Sequence, residues 1–227
     1  MRNLRTPRKQ GAVILDMDGL MLDTEPLYQR AWERAAADLG YTLSAEFYYR
    51  ALAGRRLDEY GRELLDTYGP TFPFERFMEL ALIGWRELAE AEGAPPKQGL
   101  HELLRWLRTE GLSVAVATGN DRWRTELLLT RAGLRDSMSH IATREDASAG
   151  KPAPDIFLAA ARLLAYPPSL CVVVEDSNAG ILAADRAGMR AIMVPDRQPP
   201  SEQARSLAHR VVGSLLEIPH VLRALLT

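Results

Sequence analysis

At 227 residues the chain exceeds the usual length of one domain and falls short of two large ones, so a core domain with a smaller insertion fits best. Its 47% hydrophobic and 26% charged residues belong to a folded globular protein, not a disordered or fibrous one. A net charge of −2 and a sequence pI near 6.1 supply no overall basic field for a nucleic-acid partner, and the single cysteine, Cys171, excludes an intrachain disulfide or a cysteine-based zinc site.

In chain order, Arg2, Arg5, Arg8 and Lys9 read as a short solvated tail. No apolar run long enough for a signal peptide or membrane span follows, because the run from Gly11 is broken at Asp16; no membrane partner and cytoplasmic residence are expected. Val13-Ile14-Leu15 leading into Asp16, Asp18 and Gly19 reads as a buried strand that delivers two carboxylates to its C-terminal tip, where open α/β sheets do their chemistry. Pro26 suits a first helical turn, and Leu27, Ala31, Trp32, Ala35, Ala36 and Leu39 recur at helical spacing before Gly40 stops the run. Further helices are expected at Ser44–Leu52, Leu57–Tyr68 and Pro73–Ala91, with Phe72, Phe74 and Trp85 as their core. With no strand among them, residues 24–94 read as an all-α insertion closed by Gly93-Ala94-Pro95-Pro96, and residues 1–23 with 95–227 as the α/β core.

From Gly99 the texture alternates. We expect a helix to Glu110, a strand Ser113–Thr118, a helix Asp121–Ala132, a short strand Ser139–Ala142 and a helix Asp155–Ala165. A strand Leu170–Glu175, a helix Asn178–Ala187, a strand Arg190–Val194 and a final helix Gly213–Leu226 complete the pattern. Short connections between alternating elements mean parallel strands with crossover helices on both faces, a doubly wound Rossmann-like sheet. Cys171 falls in an apolar run as a small buried hydrophobe.

No P-loop accounts for Gly150-Lys151, which Pro152 follows, and a dinucleotide-type glycine-rich turn is absent as well. Polar clusters nevertheless end the strands: Thr118-Gly119-Asn120, Glu175-Asp176, and Gly150-Lys151-Pro152 between them. Each alone is an ordinary helix cap or solvated charge. Together they are chemically coherent. Asp16, Asp18 and Asp176 can offer hard oxygen ligands to Mg²⁺, while Thr118, the amides of Gly119 and Asn120, and Lys151 offer donors and positive charge for phosphate oxygens.

Asp16-Met17-Asp18-Gly19-Leu20-Met21-Leu22-Asp23-Thr24, then Thr118, Gly150-Lys151-Pro152 and Glu175-Asp176, resemble in matching order the four-motif signature of the haloacid dehalogenase superfamily. The helical insertion resembles the cap of its β-phosphoglucomutase-like branch. The first motif and Met193-Val194-Pro195-Asp196 are similar to the phosphatases of that branch, including the pseudouridine-5′-phosphatase type. The resemblance implies a Mg²⁺-dependent phosphatase of a small sugar, nucleoside or polyol phosphate. Asp16 would be its nucleophile, forming an aspartyl-phosphate, and Asp18 its general acid and base. Mg²⁺ would be held by the Asp16 carboxylate, the Asp18 carbonyl and Asp176, with Glu175 behind them. Thr118 and Lys151 would hold the transferring group, and Arg55, in the cap loop, would face the leaving group. Asp23 is read as bracing the turn into the cap, and family members of this size are often monomeric. Hexose-phosphate mutase activity is the alternative; Tyr28, where mutases carry a histidine, argues against it. Metal-free C-halogen hydrolysis and a non-catalytic binding module are less consistent with the pair Asp16 and Asp18.

Overall fold

The computed structural model describes residues 11–52 and 57–226, which fall into two compact units, one of residues 11–22 with 96–226 and one of residues 23–95. In chain order the elements are β1 (Ala12–Leu15), α1 (Glu25–Asp38), α2 (Ala45–Phe47), α3 (Leu57–Tyr68), α4 (Phe74–Ala91), α5 (Leu100–Thr109) and β2 (Ser113–Ala117). There follow α6 (Arg122–Arg131), β3 (Ile141–Ala142), α7 (Asp155–Leu164), β4 (Cys171–Glu175), α8 (Asn178–Arg186), β5 (Arg190–Met193), α9 (Glu202–Leu207), β6 (Arg210–Val211) and α10 (Ile218–Leu225).

All six strands are parallel, in the order β3-β2-β1-β4-β5-β6. That order reverses between β1 and β4, whose tips are in register at Leu15 and Val174, and the crevice beyond such a reversal is where doubly wound sheets place their ligands. Parallel strands covered on both faces read as continuous apolar runs, and β1 and β4 are buried along their whole lengths. Ala12, Ile14, Ala115, Cys171 and Val173 share one core with Phe157 of α7 and Ile181 of α8. Val13, Leu15, Val116, Val172 and Val174 alternate with them on the other face, where α5 packs on β2 and α10 on α5. Cys171 is wholly buried in β4, and burial pushes its thiol up to about 11, in keeping with a packing role.

The helical unit is built on the α1–α4 pair, where Gly84 faces Ala31; a methyl there would make ordinary van der Waals contact, 3.7 Å from the Ala31 Cα. Trp32 meets Tyr48, Tyr60 and Phe77 edge-on at 5.0–5.6 Å between ring centroids, and Tyr28 stacks on Trp85 at 5.5 Å. Phe72 and Trp85 are buried, and Phe74 packs its ring over Gly61.

Four features differ from the sequence expectation. The helix expected over Ser44–Leu52 is one short α turn, capped by the Ser44 hydroxyl, that widens into a π-type turn at Tyr48–Leu52. The final helix begins at Ile218, because Ser214 caps a 3₁₀ turn at Leu215–Glu217 first. Two elements were not expected: α9, whose N-cap is Ser201 after Pro199-Pro200, and β6, a two-residue edge strand opposite Ile192 and Met193. Two residues are too few for alternation to register.

Candidate active site

The backbone N–H of Asp16 donates to Val174 O at 3.0 Å, so pairing with β4 continues one residue past β1 and holds Asp16, itself buried, at the seam where the strand order reverses. The next residues turn back tightly: Met21 and Leu22 N–H both donate to Met17 O, and Gly19 N–H to Leu22 O, each at 2.9 Å. Gly19 takes φ +78°, and a side chain there would overlap the carboxylate of Asp176. Glycine is therefore required twice, for the left-handed backbone and for the approach of β4's tip.

Lys151 Nζ donates to Asp16 Oδ1 and, at 2.5 Å, to Glu175 Oε1. Glu175, wholly buried, accepts on its other oxygen from Ser177 N–H at 2.5 Å, so both its oxygens are engaged. Gly180, in the first turn of α8, lies directly against that carboxylate; any Cβ would overlap it. Phe157 stands under the lysine, its ring centroid 5.1 Å from Nζ.

Asp18 faces the tip of β2. Its Oδ2 accepts from Thr118 Oγ1 at 3.1 Å and from Asn120 Nδ2 at 2.8 Å, while Asn120 N–H donates to Thr118 Oγ1 at 3.1 Å. Thr118 is wholly buried, its own N–H bonded to Ala142 O. A fourth tip contributes Asp196, just beyond β5, which pairs with Lys97 at 2.6 Å.

The electrostatics follow from three clustered carboxylates, two of them buried and paired with one ammonium. Burial, with the charges of Glu175 and Asp18, pushes Asp16 up to about 7 despite Lys151. Burial, then Glu175 and Asp16, raises Asp176 well above the usual carboxylate range. Burial alone would lower Lys151, but Asp16 and Glu175 outweigh it and hold the ammonium charged. Asp16, Glu175 and Asp176 each bring a carboxylate oxygen into a group whose atoms all lie within 4.8 Å of one another. Oxygen donors and excess negative charge suit a hard divalent cation such as Mg²⁺.

Asp16, Asp18, Thr118, Asn120, Lys151, Glu175 and Asp176 thus converge on neighbouring strand tips. Glu175 lies within the carboxylate group, whereas the Asp18 side chain turns to Thr118 and Asn120. Arg55 lies outside the described residues. Asp23 N–H donates to Pro95 O at 2.9 Å within the helical unit. Sequence reasoning missed Gly180, the Asn120 side chain as a partner of Asp18, and the pair Lys97 and Asp196. Only the small residues Ala179 and Gly180 at the start of α8 and the Met-Val-Pro-Asp text hinted at them.

A parallel Rossmann-like sheet with a carboxylate nucleophile candidate, a half-buried lysine and an acidic pair at its switch point defines a class of group-transfer hydrolase. The haloacid dehalogenase-like hydrolase family model matches residues 11–188, and the chain belongs to that family. It is 33% identical over 220 residues to hexitol phosphatase B of Escherichia coli (strain K12), covering 95% of this chain and 97% of that protein. To a Drosophila melanogaster protein named as a probable pseudouridine-5′-phosphatase it is 32% identical over 216 residues, 92% of each chain. The crystal structure of CbbY from Rhodobacter sphaeroides in complex with phosphate superposes with a TM-score of 0.76 at 28% identity, covering 92% of this chain and 96% of that one. The chain is an enzyme, a hydrolase of the phosphomonoester-cleaving type, and its relatives lie in the phosphatase branch.

Proposed function

We propose that the protein is a Mg²⁺-dependent phosphatase that hydrolyses a small phosphomonoester, a sugar, nucleoside or polyol phosphate, through an aspartyl-phosphate on Asp16. The observation that carries this reading is the division of labour among the carboxylates: Asp16 is held by Lys151, while Asp18, two residues on, is held separately by Thr118 and Asn120. Asp16 and Asp176, with the backbone carbonyl of Asp18, would hold the metal; both oxygens of Glu175 are already committed to Lys151 and Ser177. Mg²⁺, when bound, offsets the negative charge that these carboxylates would otherwise present to a phosphate dianion.

Asp16 attacks phosphorus, the ester P–O bond breaks, and the departing alkoxide takes a proton from Asp18. In the second half Asp18 takes a proton from water as the water attacks the phosphoryl group, and Asp16 and inorganic phosphate are released. Lys151 neutralises charge on Asp16 and on the transferring oxygens, which is where most of the rate enhancement in phosphoryl transfer arises. Residues 24–94 are read as the cap of this fold, and Arg55, outside the described residues, stays its candidate for leaving-group recognition. Tyr28, whose ring is stacked on Trp85, supplies no imidazole for the return transfer a mutase needs. Polyol phosphates are the first class to test, since a relative matched over nearly its whole length is a hexitol phosphatase.

The test is phosphate release from a panel of polyol, sugar and nucleoside monophosphates, with Mg²⁺ and with EDTA. EDTA is expected to abolish turnover, and Asp16→Asn to remove it. An Asp16→Asn enzyme with wild-type turnover overturns the mechanism.

A further inference from the structure

Lys97 and Asp196 lie outside the acid–base and phosphate-holding groups, yet they close a circuit around the turn that carries those groups. The backbone N–H of Lys97 donates to Met21 O at 2.8 Å, and Pro96 bridges to Leu22, so the segment is tied to the far end of the turn Met17–Leu22. Its ammonium reaches Asp196 Oδ1 at 2.6 Å, with only 27% of the lysine side chain and 12% of the aspartate exposed. Asp196 in turn borders the near end of the same turn: its Oδ2 is 3.4 Å from where a Cβ on Gly19 would stand, and Asp176 Oδ2 abuts the same point. Arg197 Nε approaches that Oδ2 at 3.5 Å from a more exposed position, a weaker partner than Lys97.

We propose that Lys97 is a positioning residue, which fixes the Asp16–Asp18 turn through Asp196 and keeps the Asp196 carboxylate from joining Asp176 at the metal position. The assignment rests on the metal reading above and extends it. Asp196 is a further carboxylate beside a site that already gathers Asp16, Glu175 and Asp176, the first two paired with Lys151. Bound to Lys97, its charge is offset and its Oδ1 is occupied. Freed, it adds negative charge beside Asp176, which favours a divalent cation and disfavours a phosphate dianion. The two consequences have opposite sign, and simple loosening of the structure would weaken both.

The experiment measures Mg²⁺ affinity by calorimetric titration and kcat with p-nitrophenyl phosphate for wild type, Lys97→Met, Asp196→Asn and the double variant, with folding checked by circular dichroism. Lys97→Met is expected to bind Mg²⁺ at least about threefold tighter while kcat falls about tenfold. Adding Asp196→Asn is expected to bring both back to within about threefold of wild type, because the offending charge is gone. Asp196→Asn alone, which keeps the side-chain shape, is expected never to tighten Mg²⁺ binding, and it serves as the test should Lys97→Met not fold. A silent Lys97→Met, a double variant no better than Lys97→Met, or tighter binding in Asp196→Asn overturns the proposal. Wild-type turnover in EDTA without Mg²⁺ binding overturns the metal reading and this proposal with it. Normal Mg²⁺ binding by wild type beside a silent Lys97→Met overturns this proposal alone.

Discussion

Asn120 donates its side-chain amide to Asp18 Oδ2 at 2.8 Å, the same oxygen that Thr118 approaches at 3.1 Å. Two neutral donors on one carboxylate oxygen favour negative charge there, so under the proposed mechanism the proton that Asp18 exchanges would sit on Oδ1. Asn120 thereby orients the Asp18 carboxylate from the tip of β2.

Replacing Asn120 by alanine removes one of those donors without touching Asp16 or Lys151. Phosphorylation of Asp16 by an alkyl phosphate is expected to slow about tenfold, because an alkoxide needs its proton from a well-placed acid. Phosphorylation by p-nitrophenyl phosphate, whose leaving group departs unprotonated, should change less. Rapid-quench measurement of the phosphoenzyme with both substrates decides; equal losses with the two would show that Asn120 does not act through Asp18.

Gly180 makes a different kind of contribution. A methyl group there would overlap the Glu175 carboxylate, which is wholly buried and bonded to Lys151 and to Ser177 N–H. Alanine is the better helix former by about 1 kcal/mol, but forcing atoms into a packed, charged interior costs about 1–3 kcal/mol, and the displaced carboxylate also leaves Lys151 with one partner fewer. Gly180→Ala is therefore expected to lower thermal stability and kcat together. An unchanged melting temperature would mean that the first turn of α8 shifts freely, contrary to its cap by Ser177 Oγ on Gly180 N–H at 3.0 Å.

These two residues mark where sequence reading stopped. The run Val13–Leu15 ending at Asp16 was legible because a buried parallel strand is continuously apolar and the first polar residue after it marks its tip. The tips at Thr118 and Glu175 were legible for the same reason, and the alternation of helix and strand implied the parallel sheet. What was not legible is lateral. Whether Asn120 points at Asp18 or at a phosphate depends on side-chain direction across two strands 102 residues apart in sequence. Gly180 looks like any small residue near a helix start until Glu175 is seen lying on it, and the Lys97–Asp196 pair joins segments 99 residues apart. Short β6 escaped because two residues carry no period.

The buried carboxylates make stability depend on pH in a direction opposite to ordinary acid denaturation. Asp16 is raised from 3.8 to about 7, by burial first and by Glu175 and Asp18 after it, so between those pH values the native protein binds a proton that the unfolded chain has lost. Its contribution is fully present below about pH 4 and is lost as the pH rises through about 7; Asp176, also raised, acts in the same direction. Lys151, raised from an already high value, stays protonated in both states over this window and adds no slope. The metal-free protein in EDTA is therefore expected to lose melting temperature between pH 5 and pH 8 relative to Asp16→Asn, which has no charge to form there. Mg²⁺ favours the ionised carboxylates, so adding it at pH 8 should restore the wild type far more than the variant. Thermal melts of both proteins across that range, with and without Mg²⁺, decide; a wild-type minus Asp16→Asn difference that stays flat from pH 5 to pH 8 would rule out a strongly raised Asp16.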